Sequence, residues 1–141
     1  MTDWLRLTFL ARAEDAALLL LRAMTGSFLI HGVWDNIVSR ERMAEFVGFV
    51  TQFKFVLPEI MAPLSVWAQF FCGAAFLAGL ATRWAGLVCA FNFVVALWMV
   101  HWSEDLRGWW PALVLVGLGL YFAARGAGRY SADALLERRG A

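Results

Sequence analysis

Apolar residues in this chain neither alternate nor recur on a single helical face; they run on. Four stretches approach the roughly 20 residues that a membrane-spanning helix needs. They are about Ala16 to Val38, Leu64 to Leu80, Trp84 to Val100 and Trp109 to Ala124. The last three are slightly short and must borrow flanking residues. Together the four use more than half of the chain, which leaves no room for a soluble domain. The pattern predicts one all-α domain over residues 1–141, an integral membrane, up-and-down four-helix bundle. A cleaved signal peptide would end in a small-x-small site. His31-Gly32-Val33-Trp34-Asp35 stands there instead, so the first run is expected to remain as a span.

Between the first two spans the pattern changes. Met43, Phe46, Val47, Val50 and Phe53 recur at three or four residues, with Arg40, Glu41, Arg42 and Glu45 near the start. That is a helical period, and it predicts an amphipathic helix on the membrane surface, ended by Leu57-Pro58. It is an anchor, or a lid if a site lies between the helices. A second interfacial helix is expected at the N-terminus from Trp4, Leu5 and Phe9 with Arg6 and Arg12. The short turn Gly79 to Arg83 makes the second and third spans antiparallel neighbours. Gly73, Ala74, Ala75, Ala78 and Gly79 allow another helix to approach the second span closely.

Composition supports this reading. Of 141 residues, 62% are apolar and 16% charged, against about half and a quarter in an average soluble domain. The net charge is +1 without a basic block, which argues against a nucleic-acid partner. Basic residues set topology. Arg6, Arg12, Arg83, Arg125, Arg129, Arg138 and Arg139 fall on one side, and Arg40, Arg42, Lys54 and Arg107 on the other. The imbalance predicts cytoplasmic termini in a bacterial-type inner membrane. Trp34, Trp67, Trp98, Trp102, Trp109 and Trp110 near the outer ends, and Trp84 near the inner end, read as interfacial anchors. Cys72 and Cys89 sit in apolar runs, as buried small residues or as a pair on neighbouring helices.

Polar side chains inside the spans need a reason to be there, because an ionisable group in the bilayer is costly. Arg22 and Asn92 are placed at similar depth in the inner half. A hydrogen bond between them, or snorkelling of Arg22, accounts for both as structural residues; the alternative is that Arg22 holds an anionic group. His31 and Asp35 are four apart and share a helix face, about half a turn from Arg22. His31, Asp35, Gln69, His101, Glu104 and Asp105 are expected to gather at the outer end of the bundle. Three readings fit that cluster. One is a hydrogen-bond network near water. Another is a quinone pocket, with histidine donating to a carbonyl and carboxylates passing protons. The third is a metal or haem site, which two histidines without an HxxxH or CxxC motif make the least favoured.

The segment Gly126-Ala127-Gly128-Arg129-Tyr130-Ser131-Ala132-Asp133 resembles the ending of DoxX family proteins. Leu21-Arg22 with Phe28-Leu29-Ile30-His31-Gly32 is similar to that family's first helix, and Gln69 to Gly73 with Gly79 to Arg83 to its second helix and turn. His101 matches a histidine often found after the third helix. Gln69 and Trp110-Pro111 stand where the family often has glutamate, and Asp35 and Asn36 near where it often has lysine. The resemblance implies a four-helix membrane protein tied to redox systems, some members being similar to subunits of thiosulfate:quinone oxidoreductase. The function expected is a small membrane subunit of a redox system, with quinone as the candidate cofactor. The alternative is a non-catalytic assembly subunit docking on a larger membrane complex. Partners are the bilayer and a membrane protein or a second copy.

Overall fold

The computed structural model describes residues 7–140, and among these it is all-helical. Trp4, Leu5 and Arg6, expected in an interfacial helix, lie outside the described residues. Thr8–Ala13 forms a 3-10 turn that leads into α1, Glu14–Val38. Glu14 and Asp15 in its first turn oppose the positive end of the helix dipole. Ser39 stops α1 in an extended conformation and caps the next helix, its Oγ accepting from Arg42 N at 3.3 Å. That helix, α2, covers Arg40–Gln52 and is the expected amphipathic segment. It is followed by α3 (Pro58–Ala78), α4 (Thr82–Ala96, continued in π-helical form through Leu97–His101), α5 (Leu106–Arg125) and a short α6 (Ala132–Gly140).

Four of these helices, the first including its leading turn, are long and apolar enough to cross a membrane: Thr8–Val38, Pro58–Ala78, Thr82–His101 and Leu106–Arg125. The largest difference from expectation concerns the prolines. The amphipathic helix ends at Gln52 rather than Leu57, and α3 begins at Pro58 rather than Leu64. Pro58 occupies the first turn, where its missing N–H breaks no helical bond. Pro63 is inside the helix, as membrane helices tolerate.

The spans pack as two antiparallel pairs, α1 with α3 and α4 with α5, joined where α3 meets α4. Each pair is held close by a reciprocal glycine contact. A Cβ built on Gly26 would lie 2.6 Å from the Gly73 carbonyl oxygen, and one on Gly73 would lie 2.8 Å from that of Gly26. Gly86 and Gly119 repeat the arrangement at 2.5 and 2.7 Å. Bare backbone at the crossing is what lets helices associate in lipid, where apolar side chains gain nothing from leaving it. The core between the pairs is Leu18, Leu29, Cys72, Phe76, Ala85, Cys89, Leu115 and Phe122, with the Phe76 and Phe122 rings 4.8 Å apart. Cys72 and Cys89 are free thiols. They donate instead to backbone carbonyls, of Ala85 at 3.4 Å and of Leu115 at 4.0 Å.

Replacing Gly73 by leucine should therefore separate α1 from α3. We expect a loss of about 1–3 kcal/mol, read as a lower Tm in detergent. Gly117→Leu, at a position whose Cβ would meet nothing within 4 Å, should leave the Tm within experimental scatter. Equal effects would contradict the packing.

Candidate functional site

The end of the bundle opposite the termini carries one compact polar pair beside an apolar niche. In the π-helical stretch Leu97–His101 the helix widens, a distortion that recurs at functional sites. The chain then turns sharply, Glu104 N donating to His101 O at 3.0 Å. The turn brings His101 Nδ1 within 2.7 Å of Glu104 Oε2, with both side chains part-exposed. Asp105 ends the turn by capping α5, its Oδ1 accepting from Gly108 N at 3.1 Å. Gly108 leaves the room that Glu104 occupies, since a Cβ there would overlap the carboxylate. In the same segment, Leu97, Trp102 and Trp109 line a cavity of about 270 Å³, with neither His101 nor Glu104 in its lining. With Nδ1 committed to the carboxylate, His101 keeps Nε2 for a ligand, as acceptor when neutral and donor when protonated.

His31, Asp35 and Gln69 are not part of this pair. The glycine contact sets Gly26 level with Gly73, and the Cys72–Ala85 bond sets α4 against α3. Counting along the helices, His31 is level with the middle of α3 and α4. His101 lies about three turns, or roughly 18 Å, further out. His31 is also exposed on α1, about 200° around the helix from the buried Leu29. Asp35 lines an open groove between α1 and α2 with Asn36, Arg42, Glu45 and Phe46. Gln69 Nε2 donates to Ser65 Oγ at 3.2 Å, and Ser65 Oγ donates to Asn92 Oδ1 at 2.8 Å, which ties α3 to α4. The expected single cluster is thus three separate arrangements and a His31 that belongs to none of them. The reason is depth: α3 begins at Pro58 rather than Leu64, which puts Gln69 in mid-span, and α1 is offset along the bundle axis, which puts His31 at that level too.

The same offset separates Arg22 from Asn92. Arg22 lies at the termini end, 1% exposed, and its Nη2 donates to Tyr130 O at 2.6 Å. Its Nε and Nη1, and the Thr82 hydroxyl, are buried without a partner among the described residues. The segment after α5 wraps this end. Arg125 Nε donates to Glu14 Oε1 at 2.7 Å, Arg129 N to Asp15 Oδ1 at 3.1 Å. Asp133 accepts from Ala81 N at 2.7 Å and Thr82 N at 3.1 Å, closing the first turn of α4. Arg83 Nη1 binds the carbonyls of Ala123 and Ala124 at 2.8 and 2.5 Å. Sequence reasoning missed Thr82, Tyr130 and Asp133 as members of this layer. Their signal was the clustering of Ser131 and Asp133 after two glycines, a turn followed by a capping pattern.

Among the described residues, no three His, Cys, Asp or Glu side chains converge as a metal-binding set. The family model that matches the chain is DoxX, over residues 17–102. Arg22, His31, Gln69 and His101 fall inside that match, whereas Glu104, the niche residue Trp109 and the wrapping tail fall beyond it. No curated protein and no solved structure matches the chain.

Asp133→Ala removes the acceptor for two backbone N–H groups and should lower stability by about 1 kcal/mol, as loss of a helix cap does. Hydrogen exchange should quicken at Ala81 and Thr82 while that at Gly108 is unchanged. Unaltered exchange at Ala81 would contradict the capping role.

Proposed function

The chain belongs to the DoxX family, and on that premise we propose that it is the membrane-embedded subunit of a quinone-linked redox system. The quinone ring docks at the far end of the bundle, in the niche beside His101. The observation that carries this reading is the 2.7 Å His101–Glu104 pair in the same turn as Trp102, which with Leu97 and Trp109 lines an apolar cavity. The donor set suits such a ring: indole faces to stack on it, Leu97 to exclude water, and one imidazole for a carbonyl oxygen.

A quinone supplies two-electron, two-proton acceptance from within the bilayer. The residues of this chain provide the place and the proton. Glu104 binds Nδ1 and fixes the ring, which leaves Nε2 for the ligand, and when the imidazole is protonated its Nε2–H donates. Glu104 is part-exposed and is the group through which water replaces the proton. The electrons come from a partner enzyme carrying its own redox cofactor. Asp105 takes the role of holding the turn in place, and Arg22 and Asn92 are structural. His31, Asp35 and Gln69 lie outside this site.

Arg12, Arg83, Arg125, Arg129, Arg138 and Arg139 belong to the end with the termini, and Arg40, Arg42, Lys54 and Arg107 to the opposite end. The positive-inside rule then favours cytoplasmic termini in an inner membrane, with the niche at the outer surface.

Binding of a short-chain quinone to the purified protein, followed by tryptophan quenching, tests the reading. His101→Ala should raise Kd about tenfold, the value of one charge-assisted hydrogen bond, and Glu104→Gln should weaken binding less. Unchanged affinity in both variants would overturn the site. Purification from native membranes tests the subunit role. A stoichiometric redox enzyme is expected, whereas a complex without one would favour the assembly-subunit alternative.

A further inference from the structure

His31 has no role in the site above, and its position is unusual. The four spans are bounded by the ends of α3, α4 and α5, and the glycine register places His31 close to the middle of that slab. There it is exposed and has no hydrogen-bond partner among the described residues. An imidazole facing hydrocarbon at this depth leaves a donor and an acceptor unsatisfied, so such residues normally face protein or water.

The residues around it form a second seam on α1. Leu18, Arg22, Thr25, Leu29 and Val33 are buried against the bundle. On the opposite side Leu20, Met24, Ser27, His31 and Trp34 follow at spacings of four, three, four and three, and every one is exposed. That 4-3-4-3 spacing is the heptad seam by which two helices pack side by side. A neutral imidazole is one donor and one acceptor, and so is a serine hydroxyl. Both residues are therefore self-complementary at their own level. A two-fold axis along the membrane normal would bring His31 to His31 and Ser27 to Ser27, so that each pair forms one hydrogen bond, N–H···N between the imidazoles and O–H···O between the hydroxyls.

We infer that the outward face of α1, through Leu20, Met24, Ser27, His31 and Trp34, is the interface with a second copy of this chain, with His31 hydrogen-bonding to its counterpart. The face lies across the molecule from the α3 side of α1 and leaves the niche at His101 open, so the dimer and the quinone reading stand independently.

Cross-linking of the full-length protein in native membranes tests this. In a background carrying Cys72→Ala and Cys89→Ala, Ser27→Cys should form a disulfide-linked dimer on mild oxidation. Phe91→Cys, an exposed position at similar depth on α4, should not. His31→Leu should reduce the dimer fraction of the detergent-solubilised protein at least about threefold, the size of one interhelical hydrogen bond. His31→Gln keeps a donor and an acceptor and should restore it. An unchanged Tm for His31→Leu at low protein concentration separates lost association from lost folding. A monomer in membranes, a Ser27→Cys adduct with a different protein, or dimerisation indifferent to His31→Leu would each overturn the proposal.

Discussion

Two backbone contacts set the height of everything else in this molecule. Gly26 against Gly73 and Gly86 against Gly119 bring helix backbones to distances that any side chain would prevent. In lipid this close approach replaces the hydrophobic drive that packs soluble helices. Because each crossing admits only one register, it also decides which residues share a layer. The bundle is thereby divided into a termini end, a middle and a far end, and each polar residue within the spans acquires its partners, or lacks them, according to layer.

The termini end is closed by charge and backbone together. Arg22 is held under the tail by the Tyr130 carbonyl, Asp133 covers the open amides of α4, and Glu14 and Asp15 take Arg125 and the Arg129 amide. The Arg22, Arg125 and Arg129 contacts join residues 108, 111 and 114 apart in sequence and those of Asp133 residues 52 and 51 apart, so the tail is part of the fold rather than an appendage. The middle holds the small Gln69–Ser65–Asn92 chain, which links the two helix pairs, and, on the outside, His31. The far end is the looser one. Its helix widens into π geometry and its polar pair is half open to water.

The spans, the amphipathic α2 and the antiparallel order were legible in the sequence because each depends on composition or local period. The prolines misled at one boundary. Pro58 and Pro63 both look like stops, yet one begins a helix and the other lies inside it, since spanning length outweighs a local breaker in a membrane. The polar residues were legible as types but not as groups. His101, Glu104 and Asp105 are close in sequence and do meet in one turn. His31, Asp35 and Gln69 were placed with them by counting from span ends, and that count fails where a helix is offset, as α1 is, or begins earlier than its apolar run, as α3 does at Pro58. Of the two accounts offered for Arg22, the hydrogen bond to Asn92 fails because α1 is offset from α4. No local pattern contains the glycine register that moves them apart, although Gly73 was recognisable as a site of close approach.

The central claim is that the far-end niche, and no other polar group in the spans, receives a quinone. Photolabelling with an azido-quinone in native membranes, followed by mapping of the modified peptide, addresses it directly. Labelling confined to Leu97 through Trp109 is the result predicted. Labelling on α1 around His31 or Arg22, or labelling no different from that of lipid-exposed positions, would contradict it.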